Sequence, residues 1–175
     1  IKIWHQFIKL TNAIFNNFPK TKFIHIFRHP LDAACSLIEA KRRWWGGRIN
    51  LFKHIHDWEQ SAKIAKASLE KYKNNYYILK YEDFVSDAKK YTREICDFLS
   101  ITYSDEMLQM RNHPGWKGTN SSFKEKKDSK EIELSSLNKY KEKLSPKIQN
   151  KYFAILGKYM NERGYSYNFE VKNKL

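Results

Sequence analysis

Residues 22–36, KFIHIFRHPLDAACS, constrain the fold more than any other stretch of the chain. Phe23, Ile24, Ile26 and Phe27 make a short apolar run interrupted only by His25. A run of this length, rich in β-branched and aromatic types, reads as a buried strand. Arg28 ends it. Pro30 fits the first turn of a helix, where a missing N–H is no loss. Asp32 follows where a carboxylate complements the helix dipole, and Ala33, Ala34, Cys35 and Leu37 continue the helix. The stretch is strand, tight corner, helix. It sets an arginine at the carboxyl end of a strand and a serine, Ser36, in the second helical turn. In open parallel sheets that edge is where ligands bind.

Arg28 and Ser36 can grip one phosphate together. Arginine offers a planar fork of donors that matches phosphate oxygens, and serine adds a hydroxyl from the adjoining helix. The alternative is an Arg28–Asp32 ion pair with Ser36 as filler, and spacing alone leaves both open.

The remaining elements follow from periodicity. Phe7, Leu10, Ile14 and Phe18 mark a helix over 5–18, stopped by Pro19. Leu51, Ile55, Trp58, Ala62, Ala65, Leu69 and Tyr72 mark a long amphipathic helix with Asn50 as N-cap. Its His54 and His56 face different sides, which makes them poor metal ligands. Residues 76–81, YYILKY, read as a second buried strand, and 87–99 as a helix with Ala88, Tyr91, Ile95, Phe98 and Leu99 inward. Residues 144–164 give a last helix, with Ser145-Pro146 at its start, Gly164 at its stop, and Ile148, Tyr152, Ile155 and Tyr159 as its inner stripe.

Two loops carry candidate chemistry. Residues 41–48, KRRWWGGR, put Trp44 and Trp45 beside two glycines and several cations. Trp44, Trp45 and Arg48 suit a sugar, lipid or aromatic acceptor by stacking. A tryptophan packed in the core with solvated cations is the other reading. Residues 111–130 are polar and rich in lysine and serine, as a functional loop or a solvated one would be.

Composition narrows the classes. With 41% hydrophobic and 15% aromatic residues in 175, the chain can build the core of one domain. No apolar run approaches the roughly 20 residues that span a bilayer, and no signal peptide is visible. The formal charge of +14 favours anionic or phosphorylated partners. Most of it is lysine, dispersed among acids, so it is a modest hint. Cys35 and Cys96 sit in apolar helical patterns and read as buried free thiols of a reducing compartment, hence a cytoplasmic location. No Cys or His spacing suggests a metal site.

Arg28-x-Pro30 followed by Ser36 resembles the 3′-phosphate-binding motif of the sulfotransferases that use 3′-phosphoadenosine 5′-phosphosulfate. FPKTKFIHI at 18–26 resembles that family's lead-in to the motif. Tyr81-Glu82-Asp83-Phe84, WKGTNSSF at 116–123, and LSPKIQNKYFAILGKYMNERGY at 144–165 are further matches in order and spacing.

The resemblance implies an α/β fold, a three-layer nucleotide-kinase-like domain with a small parallel sheet. It also implies transfer of a sulfuryl group from that donor to an acceptor hydroxyl or amine; the resemblance leaves the acceptor open, and a carbohydrate or lipid is the expectation. Adenosine 3′,5′-bisphosphate is the product, and no metal is required. It places Tyr81 near the adenine and its phosphate. Lys117, Gly118, Thr119, Asn120 and Ser121 fall in the loop that closes over the 3′-phosphate. There Trp116 stands where the family commonly has arginine, which removes one phosphate contact. His5 lies where some members carry a catalytic base, and a neutral imidazole can take an acceptor's proton. Lys2 is a weaker candidate in the same region, and a surface histidine is the plainer reading of His5.

The family's glycine-rich loop, which cradles the 5′-phosphosulfate with backbone N–H groups, has no counterpart among the six glycines at 46, 47, 115, 118, 157 and 164. The expectation is therefore a single truncated domain over 1–175 that holds the 3′ half of the site and transfers sulfate weakly. A missing first strand would leave a sheet edge that invites self-association. The competing reading is a basic nucleic-acid-binding domain. Dispersed cations and the absence of any recognised nucleic-acid motif disfavour it, and the missing phosphate loop disfavours a phosphotransferase.

Overall fold

The computed structural model describes residues 5–42, 49–108 and 137–166. A 3-10 turn, His5–Leu10, leads into α1 (Thr11–Asn17), β1 (Phe23–Phe27), α2 (Pro30–Ala40), α3 (Leu51–Lys71), β2 (Tyr76–Lys80), α4 (Tyr81–Ser86) and α5 (Ala88–Leu99). A second 3-10 turn, Asp105–Leu108, and helices α6 (Tyr140–Lys143) and α7 (Pro146–Glu162) complete the order.

β1 and β2 pair in parallel with Phe23 opposite Tyr76 and Phe27 opposite Lys80. The intervening α2 and α3 supply the crossover that parallel strands need. Side chains alternate across a strand, and the two faces of this pair meet different helices. Phe23, His25 and Phe27 are buried on one face. There Phe27 meets Trp58 of α3 edge to face at 5.5 Å. His25 is satisfied in place, its Nε2 2.9 Å from Ser61 Oγ and its Nδ1 2.7 Å from Tyr76 Oη. On the opposite face Tyr77 reaches α5, its hydroxyl donating to Glu94 Oε2 at 2.8 Å and its ring lying 5.4 Å from Phe98. Helix, sheet, helix is the three-layer α/β arrangement expected.

α3 is the central beam. Asn50 caps it, its Oδ1 accepting the Lys53 N–H at 3.0 Å. Ile55, Trp58, Ala62 and Ala65 are buried along one side, as the heptad-like spacing predicts. Tyr152, Phe153, Leu156 and Met160 of α7 join them in one core with Phe15 of α1 and Leu31 of α2. Cys35 and Cys96 are both buried free thiols.

Four details differ from the sequence expectation. The helix over 5–18 divides into a 3-10 turn and a short α1. Tyr81 does not extend β2; it is the first residue of α4, with Lys80 still extended at ψ 129°. Residues 81–86 form a helix of their own, α4, ahead of the expected helix, which starts after Asp87, whose carboxylate caps it by accepting the Lys90 N–H at 3.0 Å. Tyr152 of the expected inner stripe of α7 is buried, but the buried face is shifted to include Phe153, Leu156 and Met160, because the helix packs on both α3 and α2. Ile155 is 42% exposed, whereas Leu156 is fully buried. Gly164 does end α7, with φ at +69°, a conformation in which glycine carries no Cβ penalty.

Candidate functional site

The site is built where β1 and β2 end. Parallel pairing brings both carboxyl ends to one edge, so Arg28, one residue past β1, and Tyr81, one residue past β2, become neighbours. The Arg28 guanidinium carbon lies 4.6 Å from the centroid of the Tyr81 ring. The same guanidinium donates from Nη1 to Ser36 Oγ at 2.8 Å. Pro30 at the first turn of α2 starts the helix early enough for Ser36 to stand over the strand end. Ser36 uses an oxygen lone pair to accept from Arg28, and its own O–H remains a donor. A guanidinium fork and a hydroxyl donor side by side, both half-buried, form a donor set that fits a phosphate.

Trp58, Glu82 and Tyr165 hold the corner. Trp58 Nε1 donates to the Arg28 carbonyl at 3.1 Å. The His29 N–H donates to Glu82 Oε1 at 2.7 Å, and Glu82 Oε2 accepts from the Tyr165 hydroxyl at 3.0 Å. Burial and the adjacent Glu82 carboxylate push the Tyr165 phenol well above its ordinary range, so it stays a donor. Asp32 is 2% exposed. Its two oxygens accept the backbone N–H groups of Asn138 at 2.8 Å and Tyr140 at 3.0 Å, which ties the approach to α6 onto α2. Burial raises the Asp32 carboxyl above the usual carboxylate range, and those N–H groups counter it.

Behind the corner lies a cavity of about 230 Å³ with His29, Asp32, Glu82, Tyr140 and Tyr165 in its wall. The His29 ring stacks on Tyr140 at 4.6 Å and meets the Tyr165 ring edge-on at 5.5 Å. Neither of its ring nitrogens has a hydrogen-bond partner among the described residues. Burial, reinforced by the positive charges of Lys141 and Arg28, holds its pKa down to about 4. His29 is therefore neutral near pH 7.

Arg28, Ser36 and Tyr81 are thus brought together. The backbone of His5 opens the first 3-10 turn. Trp44, Trp45, Arg48, Lys117, Gly118, Thr119, Asn120 and Ser121 lie outside the described residues. Among the described residues no cluster of His, Cys, Asp and Glu is placed to hold a metal ion, and no helix is long and apolar enough to cross a membrane.

A sequence model of the Sulfotransferase family matches residues 6–105, more than half of the chain and the whole strand-corner-helix unit. The chain belongs to the sulfotransferase family. This sulfotransferase-family chain is 26% identical to Sulfotransferase 2A1 of Macaca fascicularis over 137 residues, covering 67% of itself and 43% of that protein. Its fold matches the Sulfotransferase Domain from the Curacin Biosynthetic Pathway with a TM-score of 0.63 at 18% identity, over 94% of this chain and 60% of the other. The chain therefore spans about half the length of the sulfotransferases it resembles.

Glu82 and Trp58 escaped the sequence reading for different reasons. Glu82 sits inside Tyr-Glu-Asp, but only the tyrosine of that motif had an expected role. Trp58 fell on the buried stripe of α3 and was read as core, which it is; the signal of its indole N–H lies in the fold alone.

Proposed function

We propose that Arg28 and Ser36 bind the 3′-phosphate of 3′-phosphoadenosine 5′-phosphosulfate, and that this chain forms that half of a sulfotransferase site. The observation that carries the reading is the 2.8 Å Arg28–Ser36 contact at the carboxyl edge of a parallel strand pair. The donor, when bound, supplies an activated sulfuryl group on its 5′-phosphate. The residues of this chain contribute binding and orientation. Arg28 presents two N–H groups in one plane, Ser36 adds its O–H, and the Tyr81 ring holds the guanidinium plane while offering a face for adenine. Lys117, Gly118, Thr119, Asn120 and Ser121 would complete the phosphate grip by charge, backbone approach and hydroxyl or amide donors. A fixed phosphate orients the nucleotide for in-line attack, which is where positioning lowers the barrier.

The acceptor in this reading is a hydroxyl or amine of a carbohydrate or lipid, stacked on Trp44 and Trp45 beside Arg48, with His5 as the base. The two buried thiols suit a reducing, cytoplasmic setting. The test is calorimetric titration of adenosine 3′,5′-bisphosphate into the wild-type chain and Arg28→Ala. The variant is expected to bind at least tenfold more weakly, about 1.4 kcal/mol. Equal affinities would overturn the assignment.

A further inference from the structure

The peptide unit that joins Arg28 to His29 is held at both of its polar groups. Its carbonyl accepts from Trp58 Nε1 at 3.1 Å, and its N–H donates to Glu82 Oε1 at 2.7 Å. A trans peptide points these groups in opposite directions, and no cis bond occurs among the described residues. One plane is therefore clamped from α3 on one side and from α4 on the other. The clamp fixes ψ of Arg28, and with it the direction in which the side chain leaves the backbone.

α4 also holds the far end of the same residue. Tyr81, directly before Glu82, carries the guanidinium on its ring at 4.6 Å. Consecutive residues of one short helix thus set the backbone and the head group of Arg28. Glu82 is itself anchored, since its second oxygen accepts from Tyr165 at 3.0 Å. Side chains whose neighbours lock them hold a binding geometry more tightly than the contacting residue alone.

We propose that Glu82 and Trp58 are positioning residues that aim Arg28 at the nucleotide's 3′-phosphate. This rests on Arg28 and Ser36 being the phosphate site. A purely structural role for either residue would lower stability or weaken all nucleotides alike. A positioning role lowers discrimination between nucleotides that differ only at the 3′ position.

The experiment measures affinities of the full chain for adenosine 3′,5′-bisphosphate and adenosine 5′-monophosphate by calorimetry, with competition for the weaker ligand. Glu82→Ala is expected to cut the preference for the bisphosphate about fivefold while monophosphate affinity changes less than twofold. Trp58→Phe keeps an aromatic ring but loses the N–H donor, and should cut the preference about threefold. Glu82→Gln retains an acceptor oxygen and should restore the preference to within twofold of wild type. An unchanged preference in Glu82→Ala and Trp58→Phe, or equal weakening of both nucleotides, overturns the inference; Trp58→Phe alone decides it if Glu82→Ala does not fold. A wild-type chain without any preference for the bisphosphate removes the 3′-phosphate reading itself, and this inference with it.

Discussion

The Arg28 guanidinium rests 4.6 Å from the centre of the Tyr81 ring, although all of α2 and α3 lies between the two residues in sequence. The contact exists because β1 and β2 end level with one another. It converts two separate strand ends into a single surface of donors and aromatic face.

Tyr81 should therefore matter through its ring more than through its hydroxyl. A cation over an aromatic face contributes about 1 kcal/mol at a half-buried site. Tyr81→Leu is expected to weaken adenosine 3′,5′-bisphosphate binding roughly fivefold, and Tyr81→Phe to leave it nearly unchanged. Titration of both variants checks this, and equal losses would shift the weight to the hydroxyl.

Asp32 predicts a large effect on stability. Its carboxylate satisfies two backbone N–H groups in a buried setting. Removing it leaves both unpaired, at a cost on the order of 2–4 kcal/mol. Urea unfolding of Asp32→Ala should show that loss, with Asp32→Asn recovering part because one oxygen acceptor remains.

His29 predicts acid sensitivity. Its folded-state pKa, about 4, lies below the ordinary 6.5. Between those values the unfolded chain binds the extra proton and the folded chain does not. Stability contributed by the neutral ring is complete above pH 6.5 and falls as the pH drops toward 4, by about 3 kcal/mol in all. Asp32, whose folded pKa is raised, opposes this trend in the acid range. Denaturant midpoints of wild type and His29→Phe, compared from pH 7 to pH 4, isolate the histidine. The variant should show the shallower decline.

Tyr152 is fully buried, and its hydroxyl lies 3.0 Å from His54 Nδ1, joining α7 to α3. Tyr152→Phe keeps the ring and should cost about 1 kcal/mol. Tyr152→Ala opens a cavity and should cost about 3–5 kcal/mol. Thermal or urea melts of the two variants separate the bond from the packing.

Much of this architecture was legible in local signals. The run 23–27, Pro30 and the α3 stripe specify strand, corner and beam, because each depends on residues close in sequence. What escaped depends on contacts between elements. The run YYILKY, apolar and aromatic but for Lys80, extends the strand to Tyr81 on sequence alone. The chain turns helical there, and Glu82 of that helix accepts the His29 N–H. The spacing places Tyr152 of α7 inward as found but not Ile155, because α7 packs against α2 as well as α3, which the periodicity of one helix does not show. Pro30 and Asp32 were both visible as helix-start residues, yet Asp32 serves the backbone before α6 rather than its own helix. No spacing rule on one segment could reveal that.

The register Phe27↔Lys80 has a consequence for how this chain can tolerate length change. Between Phe27 and Tyr76 the described chain passes through α2 and α3. A single residue deleted within β1 or β2 undoes the register. It turns every following side chain to the opposite face and draws one strand end back by roughly 3.3 Å. Arg28 and Tyr81 would then point to opposite sides of the sheet. Insertion scanning should therefore find the two five-residue strands intolerant, with the two parallel strands acting as the ruler that sets Arg28 beside Tyr81.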